Sequence, residues 1–249
     1  MLDILYRDDH LIAIHKPSGL LVHRTGLDAR EERFAVQLLR DQIGRHVHPA
    51  HRLDKGTSGV LLFALDRDTA ARAGALFENQ QVSKRYVAVV RGHPPAADVI
   101  DHPLVRRFDP AERRSARAET LPQSAITRYR RLATAELPYQ VDRYPSSRYA
   151  LVELQPETGR RHQLRRHLKH VSHPIIGDAT FGKGRHNRLF RTLFGSDRLL
   201  LACTGLAFRH PLSDTPLQID CPLAQDFTKV LTALGWHLQA DGLSATGDS

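Results

Sequence analysis

The stretch His51-Arg52-Leu53-Asp54-Lys55-Gly56-Thr57-Ser58-Gly59 places one carboxylate in a loop that runs directly into an apolar segment, Val60 to Leu65. A loop of this kind can hold a side chain still at the wall of a cleft, where a carboxylate acts as nucleophile or charge stabiliser. The same residue types also build an ordinary turn, with Asp54 accepting from the Thr57 or Ser58 backbone amides. Spacing alone leaves both readings open. The second segment is Thr158-Gly159-Arg160-Arg161-His162-Gln163-Leu164-Arg165-Arg166-His167-Leu168-Lys169-His170, whose last eleven residues hold five Arg or Lys and three His. At about 100° per residue, Leu164, Leu168 and Val171 share one helix face, while His162, Arg165, Arg166 and Lys169 fall on a broadly opposite arc. Such a helix can dock on a core and offer cations to phosphates, or it can simply present a solvated face. So many cations repel one another unless anions are close. A metal site is not expected. His162 and His167 are five apart with no Glu between them, and Asp178 follows His173 without a nearby thiol.

These groups need a scaffold. Residues 3–16 read as a hairpin about Asp8-Asp9, and 33–43 as a helix ending at Gly44. Gly59–Leu65 suits a strand covered on both faces. Asp68 or Thr69 can cap a helix through about Gln80. In 84–91, Tyr86, Ala88 and Val90 alternate with Val87, Val89 and Arg91, a strand pattern. Residues 93–124, with five Pro and many charges, read as a surface excursion. Further strands are expected at 125–132, 148–155 and 199–206, a helix at Arg160–Val171, an Arg-rich loop at 182–198, a hairpin about Ser213-Asp214-Thr215, and a closing helix at 224–235. The tail from Ala240 is expected to fray. Strands outnumber helices in mixed order, so the class is α+β around a mixed, mostly antiparallel sheet.

The 249 residues suit one catalytic unit over 1–236 and a tail, 237–249. With 36 Lys plus Arg against 27 Asp plus Glu, the net charge of +9 favours a polyanionic partner, nucleic acid or an anionic membrane surface. No run approaches 18 apolar residues and the N-terminus has no signal-like pattern, which excludes an integral helical membrane protein and leads us to expect a cytoplasmic one. The two cysteines, Cys203 and Cys221, form no disulfide framework. Arg106, Arg107, Arg113, Arg114 and Arg117 on one predicted excursion, and Lys183, Arg185, Arg188 and Arg191 on another, are placed to grip phosphates.

The His51–Gly59 segment resembles the HRLDxxTSG signature of the RluA-type pseudouridine synthases. Three more matches follow in order: His15-Lys16-Pro17-Ser18-Gly19, with His15 where the family has Asn; Lys84-Arg85-Tyr86-Val87-Ala88; and Thr158–Arg165 followed by His173-Pro174-Ile175-Ile176-Gly177-Asp178. The resemblance covers roughly residues 1–236. It implies the pseudouridine synthase fold with a central cleft, no cofactor, and isomerisation of uridine within RNA. Asp54 then acts at C1′, as carboxylates do in glycosidases, and Arg165 is its ion-pair partner. Tyr86 packs against the base and assists proton loss from C5, and Arg52 fills the space of the everted nucleotide. Thr57, Arg160, His162 and Gln163 are expected at the RNA. Arg143-Tyr144-Pro145-Ser146-Ser147-Arg148-Tyr149, the run Gly159–Leu168, and the lack of room for an S4 domain are similar to the branch acting on uridine 65 of tRNA. The expected partner is therefore tRNA, with no membrane and no obligate protein partner, the chain being monomeric. Alternatives are the same chemistry on rRNA, or a non-catalytic RNA-binding module.

Overall fold

The computed structural model describes residues 1–23, 33–106, 121–238 and 245–246. Arg107, Arg113, Arg114 and Arg117 lie outside these residues, as does most of the predicted tail; the tail's described part, His237–Leu238 and Ala245–Thr246, pairs antiparallel. Chain order begins β1 (Asp3–Arg7), β2 (Leu11–Lys16), α1 (Ala35–Ile43), β3 (His48–Pro49), β4 (Ser58–Ala64), α2 (Arg67–Glu78) and β5 (Ser83–Arg91). There follow β6 (Ala97–Asp101), β7 (Leu104–Val105), β8 (Pro122–Gln123), β9 (Ile126–Leu137) and β10 (Ser147–Pro156). The last third holds α3 (Gln163–His170), α4 (Gly184–Phe194), β11 (Leu201–Arg209), β12 (Pro216–Asp220) and α5 (Gln225–Ala233). Among the described residues, ten strands form one sheet in the order β1-β2-β4-β11-β5-β10-β9-β6, with β12 on β11 and β3 on β4. Each of these pairings is antiparallel except β11 with β4. The expected mixed, mostly antiparallel α+β sheet is therefore present.

The period-two pattern of the central strands sorts side chains into two cores. Tyr86, Ala88 and Val90 of β5 join Ala150, Val152 and Leu154 of β10, and Leu164 and Leu168 of α3, on one face. Val87, Val89, Tyr149 and Leu151 join Phe190 of α4, and Phe227 and Val230 of α5, on the other. Every residue of β4 is buried, as its unbroken apolar run implies. Gly59 makes the β4–β11 pairing possible: its φ is +112° and a Cβ there would collide with the Cys203 backbone.

Four local expectations need correction. The N-cap of α2 is Asp66, whose carboxylate accepts from Thr69 N at 2.8 Å, not Asp68 or Thr69. Helix α3 begins at Gln163 rather than Arg160, because His162 sits in the left-handed region at φ +55° and breaks the run. The Arg-rich segment expected as loop is the helix α4: His186 and Phe190, one turn apart, are buried while Lys183, Arg185, Arg188 and Arg191 stay exposed. The Pro-rich excursion contains β6, which pairs with β9 over Ala97–Asp101.

Candidate active site

The loop between β3 and β4 turns back on itself through Thr57 N, which donates to the Asp54 carbonyl at 3.0 Å. The Asp54 side chain is thereby left free of the turn and faces a cleft. A strap from the end of β2 fixes this loop from below. Lys16 Nζ donates to the carbonyls of Pro17, Leu20 and Lys55 at 3.0, 2.7 and 3.1 Å. Gly19 N donates to Lys55 O, and Ser18 Oγ to Gly56 O. Lys16 is fully buried, and that burial pushes its ammonium down to about 7, opposed by the nearby Asp54 charge.

Arg165 projects from the first turn of α3 into the same cleft, its side chain only 12% exposed. It is therefore not on the solvated arc that helical spacing suggests. Its Nη1 donates to Asp54 Oδ2 at 3.0 Å. Nε and Nη2 form a two-pronged pair with Asp178, at 2.7 and 2.9 Å. Asp178 Oδ1 also accepts from Thr180 N and Phe181 N, and its side chain is wholly buried. These donors hold its carboxyl below the usual carboxylate range against the opposing effect of burial. The guanidinium lies 5.1 Å from the centroid of the Phe181 ring, which closes its outer face. One cation is thus shared between a buried acid that fixes its orientation and a second acid that borders the cleft.

Other predicted residues gather here in different ways. Tyr86 lines the cleft beside the Cys203 thiol; burial first, then Cys203 and Asp54, raise its phenol well above the ordinary range. His162 Nε2 lies 3.7 Å from Asp54 Oδ1, and burial lowers the imidazole so that it is neutral at pH 7. Arg52 is exposed at the rim, and Arg160 Nε donates to Ser124 O at 3.0 Å. Thr57 and Gln163 are buried at 2% and 4% exposure. Gln163 spends its amide inside the protein: Oε1 accepts from Thr158 Oγ1 and Arg160 N, and Nε2 donates to Ile126 O and Thr127 Oγ1. It ties the Thr158–His162 loop to β9. Sequence patterns give neither Lys16 nor Asp178 a role, and Asp178 reads there only as a poor metal ligand, although a cluster of arginines with so few local acids calls for a distant carboxylate.

The cleft has two lobes that share Arg52, Leu53, Asp54 and His162. One, of about 410 Å³, runs under Tyr86 and Leu201; the other, of about 920 Å³, opens toward Lys55, Arg106 and Arg161. A chamber sized for a small planar ring beside a broader basic groove suits a nucleotide turned out of a polyanion. A carboxylate at their junction can act at an anomeric carbon.

The sequence model of the RNA pseudouridylate synthase family matches residues 10–170. The chain is 48% identical over 237 residues to the tRNA pseudouridine synthase C of Vibrio cholerae, covering 95% of this chain and 97% of that one. It is 46% identical over 239 residues to the Pasteurella multocida protein of the same name, covering 96% and 98%. Human RNA Pseudouridylate Synthase Domain Containing 4 superposes with a TM-score of 0.69 at 29% identity, over 93% of this chain and 92% of that one. Human RNA Pseudouridylate Synthase Domain Containing 1 gives 0.68 at 25% identity, over 94% of each. The chain belongs to the RNA pseudouridylate synthase family. Among the described residues no helix is long and apolar enough to cross a membrane.

Proposed function

We propose that this protein converts a uridine of tRNA to pseudouridine, at position 65, with Asp54 as the carboxylate that acts at C1′. The observation that carries the reading is the fork of Arg165 between Asp178 and Asp54 at the junction of the two lobes. The tRNA assignment is supported by the relatives named above, which match over nearly the whole chain. Breaking the N1–C1′ bond gives the sugar oxocarbenium character, and a fixed carboxylate opposes that charge or adds to it. The reaction transfers nothing to or from a second molecule, so the residues present supply what it needs.

Arg165 keeps Asp54 ionised and aimed. Arg52, at the rim, enters the gap left in the stem and offsets part of the few kcal/mol that eversion costs. Tyr86 forms a wall for the uracil ring and stands on the side from which the C5 proton is removed, while burial, then Cys203 and Asp54, raise its phenol. Arg160 and His162 border the ribose side, and Thr57 and Gln163 hold the loops that carry them. We read residues 1–236 as one catalytic unit, because β11 lies between β4 and β5 in the sheet. The protein acts as a monomer in the cytoplasm, where its substrate is. The test is a nucleotide-resolved pseudouridine map of unmodified tRNA incubated with the purified protein. Pseudouridine at position 65 is expected. Modification of rRNA alone, or none in either RNA, contradicts the reading.

A further inference from the structure

Lys84 stands two residues before Tyr86 on β5, on the same face of the strand, and lines the smaller lobe with Tyr86 and Leu201. It is 8% exposed. Among the described residues no carboxylate and no hydrogen-bond acceptor meets its ammonium. Its charged or titratable neighbours are Cys203, whose thiol burial pushes up to about 12, and His51, whose ring burial drives down to about 3. Both are neutral at pH 7, so neither offsets the amine. The other buried cations differ: Lys16 has three backbone carbonyls, Arg165 has two carboxylates, and Arg198 donates to Ser58 Oγ and Asp226. The Lys84 ammonium is not sealed in the interior: its residue is mostly buried, which lowers its pKa from the ordinary lysine value, yet the amine still meets the chamber it lines. Nothing in the fold uses Lys84, and it borders a chamber whose occupant has yet to arrive.

The geometry points to Lys84 as the group that stabilises the detached uracil anion during isomerisation. This rests on the reading that Asp54 and Tyr86 flank the target nucleotide. When the N1–C1′ bond breaks, its electron pair leaves with the base, and the charge on N1 spreads to O2 and O4. C5 then bonds to C1′, the C5 proton departs and N1 gains a proton. The detached ring is the same anion whether Asp54 adds to C1′ or the sugar first loses a proton from C2′. A fixed ammonium in the wall of the chamber favours that anion over the neutral ground-state ring, which is the condition for lowering the barrier. It also keeps the free base from escaping while it turns. Lys84 gives up no proton in this role.

The test compares Lys84→Met and Lys84→Arg with the native protein in single-turnover assays on a tRNA transcript. Lys84→Met is expected to slow isomerisation about 100-fold, the scale of losing one preorganised donor. Its tRNA Kd should change less than threefold, and Lys84→Arg should restore part of the rate. Melting temperature supplies the readout that a structural lysine would move the other way: removing an unpaired buried charge should leave Tm unchanged or raise it. A tRNA with 5-fluorouridine at the target adds a second readout, N1–C1′ cleavage. Its more acidic base leaves more easily, so the deficit of Lys84→Met should shrink on that substrate. Turnover of Lys84→Met within twofold of native, or an equal deficit on both substrates, overturns the inference. An active Asp54→Asn protein would instead remove the reading it rests on.

Discussion

The Asp54 cluster and the Arg91–Asp142–His186 cluster lie on opposite faces of the sheet and use the same residue types. On the first face, Arg165 commits two nitrogens to the wholly buried Asp178 and leaves the third for Asp54, whose side chain is 27% exposed to the cleft. On the second, His186 Nε2 lies 3.1 Å from Arg91 Nε and 3.2 Å from Asp142 Oδ2, while its Nδ1 meets the Tyr149 hydroxyl at 2.8 Å. There the longest link, Arg91 to Asp142 at 3.4 Å, joins two half-exposed groups. The second cluster closes on itself and pins the β9–β10 loop against α4. The first ends on a carboxylate that still has an open side. Asp142, at 38% exposure, is no more enclosed than Asp54, so an Arg–Asp–His grouping is a clamp or a reactive centre according to whether its last acid borders a chamber that can admit a substrate.

That contrast sets the order of expected effects. Arg165→Met leaves Asp54 and Asp178 both unpaired. We expect turnover to fall about 1,000-fold and stability by about 3–5 kcal/mol, measured by single-turnover kinetics and denaturant unfolding. Asp178→Asn keeps the shape but weakens the fork that aims Arg165. A misaimed group costs about 100-fold in turnover, with tRNA affinity retained. Combined with Arg165→Met it should add little further loss, since residues acting as one unit are non-additive. Asp142→Asn, in the distal cluster, should leave turnover within twofold and lower stability by about 1 kcal/mol or less, a shift of about 2–4 °C in Tm at most for a chain of this size. If Asp142→Asn slowed catalysis as much as Asp178→Asn, the two clusters would not be different in kind.

A separate effect concerns pH. His51 Nε2 accepts from Leu62 N at 3.1 Å, and the ring stacks on Phe77. Burial lowers its pKa to about 3 in the folded chain, from an ordinary 6.5. A base whose folded pKa is depressed contributes stability that is present above its unfolded pKa and is lost as pH falls toward the folded value. Stability should therefore decline from about pH 6.5 toward pH 3. His51→Gln should flatten part of that slope in denaturation midpoints measured across the range.

Much of this was legible in residue order. The unbroken apolar run of β4, the alternation in β5 and the turn ahead of β4 each specify local structure through short-range physics. What escaped depends on partners distant in sequence. The Arg-rich α4 reads as loop until His186 and Phe190 find the second core. The start of α3 moves because His162 is held at positive φ beside Asp54. Arg165, placed by helical spacing on a solvated arc, turns inward because two acids 111 and 13 residues away wait there. Gly177, at φ +80°, carries the chain into Asp178 where a Cβ would collide with the Arg198 carbonyl. No single-segment pattern announces that turn. The Asp54 motif was readable, and its support was not.

The central claim is that the open carboxylate at the end of the first cluster performs the chemistry. Asp54→Asn changes one oxygen to nitrogen and keeps the side-chain shape, so tRNA binding and pseudouridine formation can be measured side by side on the same transcript. The account predicts a tRNA Kd within threefold of native and no detectable pseudouridine in a single-turnover assay. Pseudouridine formed at the native rate would contradict it.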